Sequence, residues 1–259
     1  MEVAMKIVVI VPTYREKENI EPLISQLLDQ FERIPHESGI LVVDDNSPDG
    51  TGEEVKKIIQ EKRKLGKNNI QILSGKKRGL GAAYQRGIKY ALKELGADVI
   101  VSMDADFSHK PKDVPRLIEE IDKGADMVIG SRYVRGGKIP ENWNLFRVAN
   151  SRWGNRFARY IVGIDNVKDC TAGFRAISRE VLEAINLDSL KVRGYSFQMN
   201  LLYKAYINGA KIKEIPVEFI EREKGHTKLG PSDILEFMVS SFILRLQRGL
   251  FIRKPKTKL

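Results

Sequence analysis

The chain has 259 residues, 42% of them hydrophobic, enough to bury one substantial core and close to the size at which single cores stop growing. Its 44 lysines and arginines against 34 acidic residues leave a formal charge of +10, which favours anionic partners without choosing among phospholipid, nucleic acid and phosphorylated substrates. The lone cysteine, Cys170, excludes an internal disulfide framework and points to a reducing, cytoplasmic setting, while His36, His109 and His226 are too scattered for a zinc site.

The N-terminal run to Val11 is strand-like and lacks the long apolar stretch and small-residue exit of a cleavable signal. Apolar, β-branched runs at 7–11, 40–43, 70–73, 99–103 and 127–129 read as buried strands. Helical patterns lie between them at 20–30, 53–64, 82–95 and 114–123. This alternation predicts a mostly parallel sheet with helices on both faces, and in such sheets ligands bind beyond the carboxyl ends of the strands. Pro12-Thr13-Tyr14, Asp44-Asp45-Asn46, Ser74-Gly75-Lys76 and Asp104-Ala105-Asp106 each follow a predicted strand, so they should converge on one crevice. From Arg132 on the pattern is less regular, with helices expected near 147–161, 197–208 and 233–250. Glu236, Arg245 and Arg248 interrupt the apolar stretch 234–252, so no transmembrane helix is expected there.

Asp104 and Asp106 should leave their strand on the same side, and two such carboxylates repel unless a cation such as Mg²⁺ or Mn²⁺ joins them to substrate phosphates. Capping of the helix that begins near Pro111 is the alternative use of the pair. Turn chemistry accounts for Asn46 to Gly50, but not for adjacent carboxylates at a strand end, where Asp45 could accept hydrogen bonds from a base or ribose. The segment Lys76 to Ala83 joins cations to a flexible helix entry that suits a diphosphate, although it lacks the third glycine of a dinucleotide fingerprint. Between 147 and 161, Arg152, Arg156 and Arg159 recur at helical spacing beside Trp153, Phe157 and Tyr160, a pattern that fits either a membrane interface or a solvated basic face. In the tail, Leu235, Met238, Val239, Phe242 and Leu246 share one side and Glu236, Ser240, Ser241, Arg245 and Arg248 mostly the other. That apolar side could pack on the core or meet lipid, and the basic end 253–258 favours anionic lipid. No nucleophile elbow supports hydrolytic chemistry.

The ordered set running from Val9 to Glu16, Val43 to Thr51, Gly79 to Tyr84, Met103 to His109, Gly130 to Tyr133, Cys170 to Arg175, Gly194 to Met199 and Lys228 to Gly230 resembles the inverting family-2 glycosyltransferases with the GT-A fold. Within them it is most similar to the dolichol-phosphate mannosyltransferases. The resemblance implies that Pro12, Tyr14, Glu16, Val43 and Asp45 hold the nucleotide of GDP-mannose. It implies likewise that Asp104, Ala105 and Asp106 hold sugar, diphosphate and a Mg²⁺ or Mn²⁺ cofactor through Asp104 and Asp106. Arg132 matches an arginine beside the acceptor phosphate, Arg147, Ser151 and Arg152 fall where relatives contact the lipid phosphate, and Arg222 and Lys228 match a basic loop that closes over the donor. Some relatives carry a metal-contacting Gln where this chain has Ser108.

The implied organisation is a catalytic domain over 1–230 and an amphipathic, basic membrane-interface tail over 231–259, in an enzyme peripheral to the cytoplasmic face of a membrane. The implied partners are GDP-mannose, a dolichyl or polyprenyl phosphate, the membrane surface and a separate membrane-anchoring protein. A polyprenyl phosphate is already anionic, so its attack on the anomeric carbon needs no general base, and inversion would give a β-linked product. The rival activities are a sister enzyme using UDP-glucose, a nucleic-acid-binding module, for which RNP strands, a KH loop and zinc knuckles are missing, and a processive polysaccharide synthase, whose Q-x-x-R-W motif is absent.

Overall fold

The computed structural model describes residues 4–66, 68–190, 194–221 and 231–251. Among them, β1 (Lys6–Thr13), β2 (Glu37–Asp44), β3 (Ile70–Ser74), β4 (Val99–Ser102), β5 (Met127–Ser131), β6 (Arg175–Ser178) and β7 (Ile212–Pro216) form one sheet in the order β3-β2-β1-β4-β6-β5-β7. Neighbours run parallel except β6, which is antiparallel to both β4 and β5. The five strands expected from apolar runs are all present. The short β6 and the edge strand β7 were not expected, and β4 ends at Ser102, so the Asp104 triplet lies in a bend beyond the strand.

The helices are α1 (Lys17–Phe31), α2 (Thr51–Lys64), α3 (Leu80–Lys93), α4 (Val114–Asp122), α5 (Leu145–Val162), α6 (Arg179–Ala184), α7 (Gly194–Ile207) and α8 (Pro231–Phe251). Strand side chains alternate between faces, and β1 shows how this builds three layers. Ile7, Val9 and Val11 enter a cluster with Ile20, Leu23 and Ile24 of α1, Val55 and Ile58 of α2, and Leu117 and Ile118 of α4. Val8 and Ile10 enter the opposite cluster with Tyr84 and Ile88 of α3, Ala158 and Val162 of α5, Leu201 and Leu202 of α7, and Phe237 and Leu244 of α8.

The α8 helix turns its faces the opposite way from a helix that packs by its most apolar stripe. Phe237, Ser240, Ser241 and Leu244 are buried, whereas Leu235, Val239, Phe242, Ile243 and Leu246 are exposed. Burial of the serines is made tolerable by partners: Asn200 Nδ2 donates to Ser240 Oγ at 2.7 Å, and Ser241 Oγ donates to the Phe237 carbonyl at 2.8 Å. The exposed side continues onto α5, where Phe157 meets Phe242 edge-on at 5.8 Å and stacks on Trp153 at 5.4 Å. No helix among the described residues is long and apolar enough to cross a membrane.

The level ends of the parallel strands set the position of the loops that follow. Thr13, Asp44 and Ser74 are register partners across β1, β2 and β3, and Ser102 sits opposite Ile10. Helix α3 can lie close behind this edge because Gly87 has no side chain: a Cβ there would come within 2.9 Å of both Ile10 Cγ2 and Val43 Cγ2. Gly87→Ala should therefore lower unfolding stability by about 1–3 kcal/mol, the usual cost of overpacking. A urea midpoint equal to that of the parent would show that α3 can shift away without loss.

Candidate active site

Three loops leave the carboxyl ends of β1, β2 and β4, and each contains a non-glycine residue in the left-handed region: Arg15 at φ 63°, Asn46 at φ 50° and Phe107 at φ 58°. Such backbone is uncommon outside glycine and collects where surrounding structure enforces a functional geometry.

The adjacent carboxylates of β2 divide their work. Asp44 is structural: Thr13 Oγ1 and Ser47 Oγ donate to its Oδ1 at 2.9 and 2.5 Å, and the Ser47 amide donates to Oδ2 at 3.0 Å. Asp45, also buried, accepts from Arg86 Nη2 of α3 at 2.7 Å. The turn that follows is fixed by Asp49, which accepts from the Thr51 hydroxyl and amide at 2.6 and 3.1 Å and from the Lys17 amide at 3.3 Å. Burial works against its charge, but these hydrogen bonds prevail and hold its carboxyl below the ordinary range. Glu16 is tied down by Asn19 Nδ2 at 2.9 Å, and Tyr14 lies under the Lys77 ammonium, 3.4 Å from its ring centroid. Pro12 is buried at the end of β1, and the Val43 side chain lies in the core, so Val43 can meet a ligand only through its main chain.

Asp104 and Asp106 are gathered by the bend. Tyr84 of α3 donates its hydroxyl to Asp104 Oδ1 at 2.9 Å. Burial, then the charges of Asp104 and Asp106, push the Tyr84 hydroxyl well above its ordinary pKa, so it stays a donor and sits close to both carboxylates. The Asp104 amide donates to His109 Nδ1 at 3.1 Å, and His109 stacks on Phe174 at 5.0 Å. Ser108 donates to Asp106 Oδ1 through both its hydroxyl, at 2.6 Å, and its amide, at 3.1 Å. Ser108 therefore orients the carboxylate. Ala105 is buried in the core between the two acids, and a Cβ on Gly173 would stand 3.9 Å from Asp104 Oδ2.

This donor set suits Mg²⁺ or Mn²⁺. Both side chains present hard oxygen ligands of the kind these ions take, and no cluster of three or more His, Cys, Asp or Glu residues that could hold a metal occurs among the described residues. The alternative use of the pair as a helix cap is not seen: Asp104 bonds Tyr84 and His109, Asp106 bonds Ser108, and no side chain caps the turn at Pro111.

Arg132, just beyond β5, is gripped by Asp169. Nε and Nη2 donate to the two carboxylate oxygens at 2.7 Å each, the amide adds a third bond at 3.0 Å, and Nη2 also reaches Thr171 Oγ1 at 2.9 Å. Asp169 is fully buried; burial raises its pKa, but the charge and hydrogen bonds of Arg132 outweigh this and hold the carboxyl below its ordinary range. Arg147 makes a forked pair with Glu221 at 2.7 and 2.9 Å and lies over Trp143 at 4.2 Å. Ser151 shares a 2.7 Å hydrogen bond with Tyr133, and Arg152 lines a separate cleft. Arg222 and Lys228 lie outside the described residues.

Tyr84 and Arg175 close two of the sequence motifs without an assigned role, and Arg86 and Asp169 were not singled out. Arg175 is fully buried on β6, donating to the carbonyls of Gln198 and Cys170 at 2.7 and 2.9 Å; burial lowers its pKa to about 10, so it remains charged at neutral pH. Burial pushes the Cys170 thiol up to about 12, which removes it as a nucleophile at neutral pH.

A GT-A-like sheet with acidic loops at its carboxyl edge is an arrangement suited to a glycosyltransferase, and comparison with known proteins shows that class. A family model described as Glycosyl transferase family 2 matches residues 8–185, and the chain belongs to that family. It is 41% identical over 231 residues to polyprenol monophosphomannose synthase of Mycolicibacterium smegmatis, covering 89% of this chain and 83% of that one. It is 40% identical over 237 residues to undecaprenyl-phosphate mannosyltransferase of Micrococcus luteus, covering 91% and 92%. It is 37% identical over 236 residues to dolichol-phosphate mannosyltransferase of Pyrococcus furiosus, covering 90% of this chain and 62% of that longer one. The fold is shared with glucosyl-3-phosphoglycerate synthase of Mycobacterium tuberculosis, crystallised with Mn²⁺, UDP and phosphoglyceric acid, at a TM-score of 0.63, 19% identity and coverage of 98% and 80%.

Asp169→Asn replaces the charged acceptor of a part-buried Arg132 with a neutral amide, so it should cost about 1–3 kcal/mol of stability at pH 7. Because the folded pKa of Asp169 is depressed, its contribution is complete above the unfolded value of about 3.9 and fades as pH falls below it. The gap in urea midpoint between parent and variant should narrow on acidification below about pH 4. A gap unchanged between neutral and acidic pH would show that the charge of Asp169 does not act on stability.

Proposed function

We propose that this enzyme transfers mannose from GDP-mannose to a dolichyl or polyprenyl phosphate at a membrane surface, with inversion at the anomeric carbon. The observation that carries this reading is that three relatives at 37–41% identity, over 89–91% of this chain, are named for mannosyl transfer involving polyprenyl phosphates. The catalytic domain is 1–230. The 231–259 segment is a membrane-interface element, and α8 is bound to the domain through Phe237 and Leu244 with its exposed apolar side directed outward.

An acceptor phosphate oxygen attacks the anomeric carbon, the bond from that carbon to the diphosphate oxygen breaks, and GDP leaves with the electron pair. The attacking oxygen carries no proton, so the site needs positioning and charge stabilisation in place of a base. Asp45, steadied by Arg86, accepts hydrogen bonds from the nucleoside, with Pro12, Tyr14, Glu16 and the Val43 main chain forming the rest of its seat. Asp104, Ala105 and Asp106 face the sugar and diphosphate. A Mg²⁺ or Mn²⁺ ion held by Asp104 and Asp106 would neutralise charge on the leaving diphosphate when bound. Arg132 is held by Asp169 for its role beside the acceptor phosphate, with Arg147 and Ser151 completing that end, while Arg152, which the resemblance also implied there, lines the neighbouring cleft. Arg147 must exchange Glu221 for phosphate to take part. Arg222 and Lys228, outside the described residues, are assigned to the donor phosphates by the resemblance alone. The exposed stripe Trp153, Tyr160, Val239, Phe242 and Leu246 provides the contact with the cytoplasmic face of a bilayer.

Radiolabelled mannose should pass from GDP-mannose to dolichyl phosphate in detergent with Mg²⁺ or Mn²⁺, and chelator should abolish the product. Asp106→Ala should lower kcat by about 10²–10³-fold, on the scale of losing one group that stabilises transition-state charge. Turnover with UDP-glucose but not GDP-mannose would keep the chemistry and replace the donor, whereas near-parental turnover of the Asp106 variant would remove that residue from the mechanism.

A further inference from the structure

Arg152, Asn155, Arg156 and Arg159 recur on one stripe of α5 and, with Tyr133 and Lys168, line a cleft of about 180 Å³. Four cationic side chains thus converge on one concavity. The arginines nearby find carboxylates, Arg132 on Asp169 and Arg147 on Glu221. Among the described residues no carboxylate pairs with the side chains of Arg152, Arg156, Arg159 or Lys168. The Glu214 carboxylate is already used, its oxygens accepting from the backbone amides of Lys168 and Asp169 at 2.7 and 2.9 Å. Arg159 places Nη2 on the Asp165 carbonyl at 2.7 Å, while its Nε is buried without an acceptor.

Convergent cations repel unless an anion lies between them, and guanidinium forks match the oxygens of a phosphate. Asn155, a buried wall of the cleft, has its amide committed inward: Nδ2 donates to Thr171 Oγ1 at 3.1 Å, and Oδ1 accepts from the Cys170 amide at 2.9 Å. The arginines and lysine remain to meet a ligand. On the same helix, Trp153 and Tyr160 are 61% and 82% exposed, an aromatic edge of the kind found at the headgroup layer of a bilayer.

We propose that this cleft is a phosphate-binding site distinct from the donor crevice, and that its ligand is the phosphate of an anionic phospholipid headgroup. The source of that phosphate rests on the membrane association proposed above. Neither measurement below needs turnover, so failure of this site and failure of the mannosyl-transfer reading can be told apart.

Two measurements on the full chain test it: thermal stabilisation by inorganic phosphate, and co-sedimentation with phosphatidylcholine vesicles with and without phosphatidylglycerol. The variant is Arg156→Gln/Arg159→Gln/Lys168→Gln. A charge-matched control, Lys62→Gln/Arg63→Gln/Lys64→Gln, lies at the end of α2, which packs against β2 and β3 at the other edge of the sheet. The cleft variant should lose phosphate stabilisation and bind phosphatidylglycerol vesicles about tenfold or more weakly, whereas the control should keep the first and lose less of the second. If the triple variant does not fold, Arg156→Gln/Lys168→Gln, which changes only exposed side chains, carries the same test. Loss of phosphate stabilisation with vesicle binding equal to the control would overturn the headgroup assignment in favour of a free phosphate. Unchanged stabilisation by phosphate would overturn the site altogether.

Discussion

Carboxylates brought together at the ends of buried strands must each be held in place, and much of the surrounding structure meets that demand. Asp44, Asp45, Asp104 and Asp106 lie at or just beyond the carboxyl edge of the sheet, three of them buried. An isolated buried carboxylate costs several kcal/mol or more, so each needs defined donors. The donors differ in kind. Asp44 is held by Thr13 and Ser47 within the β1–β2 edge, and Asp45 by the cation Arg86. Asp104 is held by Tyr84, and Asp106 by Ser108. A hydroxyl orients a carboxylate without cancelling its charge, which is the condition a divalent cation needs. An arginine removes that charge and leaves an acceptor suited to neutral donors such as a base or ribose hydroxyl. Asp104 and Asp45 thus differ in the partner that α3 supplies, the Tyr84 hydroxyl for one and the Arg86 guanidinium for the other.

Helix α3 is central to this arrangement because it supplies both Tyr84 and Arg86, and it does so at close range because Gly87 lets it settle onto Ile10 and Val43. Its amino end follows the basic segment Lys76 to Arg78, so one helix carries a cationic entry, a neutral donor and a part-buried ion pair to the same edge. At the other end of the crevice Asp169 performs a comparable service for Arg132. Both halves therefore work through a second residue that fixes the first, an economy suited to chemistry limited by positioning.

Strand and helix periodicity made much of this legible in the sequence. The five apolar runs became strands, and the Pro12, Asp44, Ser74 and Asp104 motifs fall at or just beyond their carboxyl ends, where ligands of such sheets sit. Strands β6 and β7 escaped because neither carries an apolar run: β6 has four residues and begins with the buried Arg175, while β7 alternates Lys213 and Glu214 between isoleucines at the sheet edge. Their pairing is set by distant partners, which local pattern does not contain. The paired acids were visible as motifs, but the division of labour between Asp44 and Asp45 was not, because it depends on Thr13, Ser47 and Arg86 from other segments. Asp169 directly precedes the Cys170 to Arg175 motif, but nothing nearby in sequence marks it as the partner of Arg132. Ser108, a departure from some relatives, is intelligible once its bonds to Asp106 are seen.

Helix α8 gives the sharper lesson about which face of an amphipathic helix turns inward. Residue polarity alone directs Leu235, Val239, Phe242 and Leu246 to the core and Ser240 and Ser241 to solvent, yet burial is reversed. A buried serine is acceptable where a neighbour supplies its hydrogen bond, and Asn200 does so for Ser240 while the helix's own backbone does so for Ser241. Exposed leucines and phenylalanines have no corresponding remedy in water, and here they continue into Trp153 and Tyr160 of α5. The inversion is costly for a helix surrounded by water and favourable for one whose outer face meets hydrocarbon. Arg152, Arg156 and Arg159, which have no carboxylate partner among the described residues, occupy the adjoining stripe of α5, so apolar contact and phosphate contact would form together when this surface meets a bilayer, each holding the other in register.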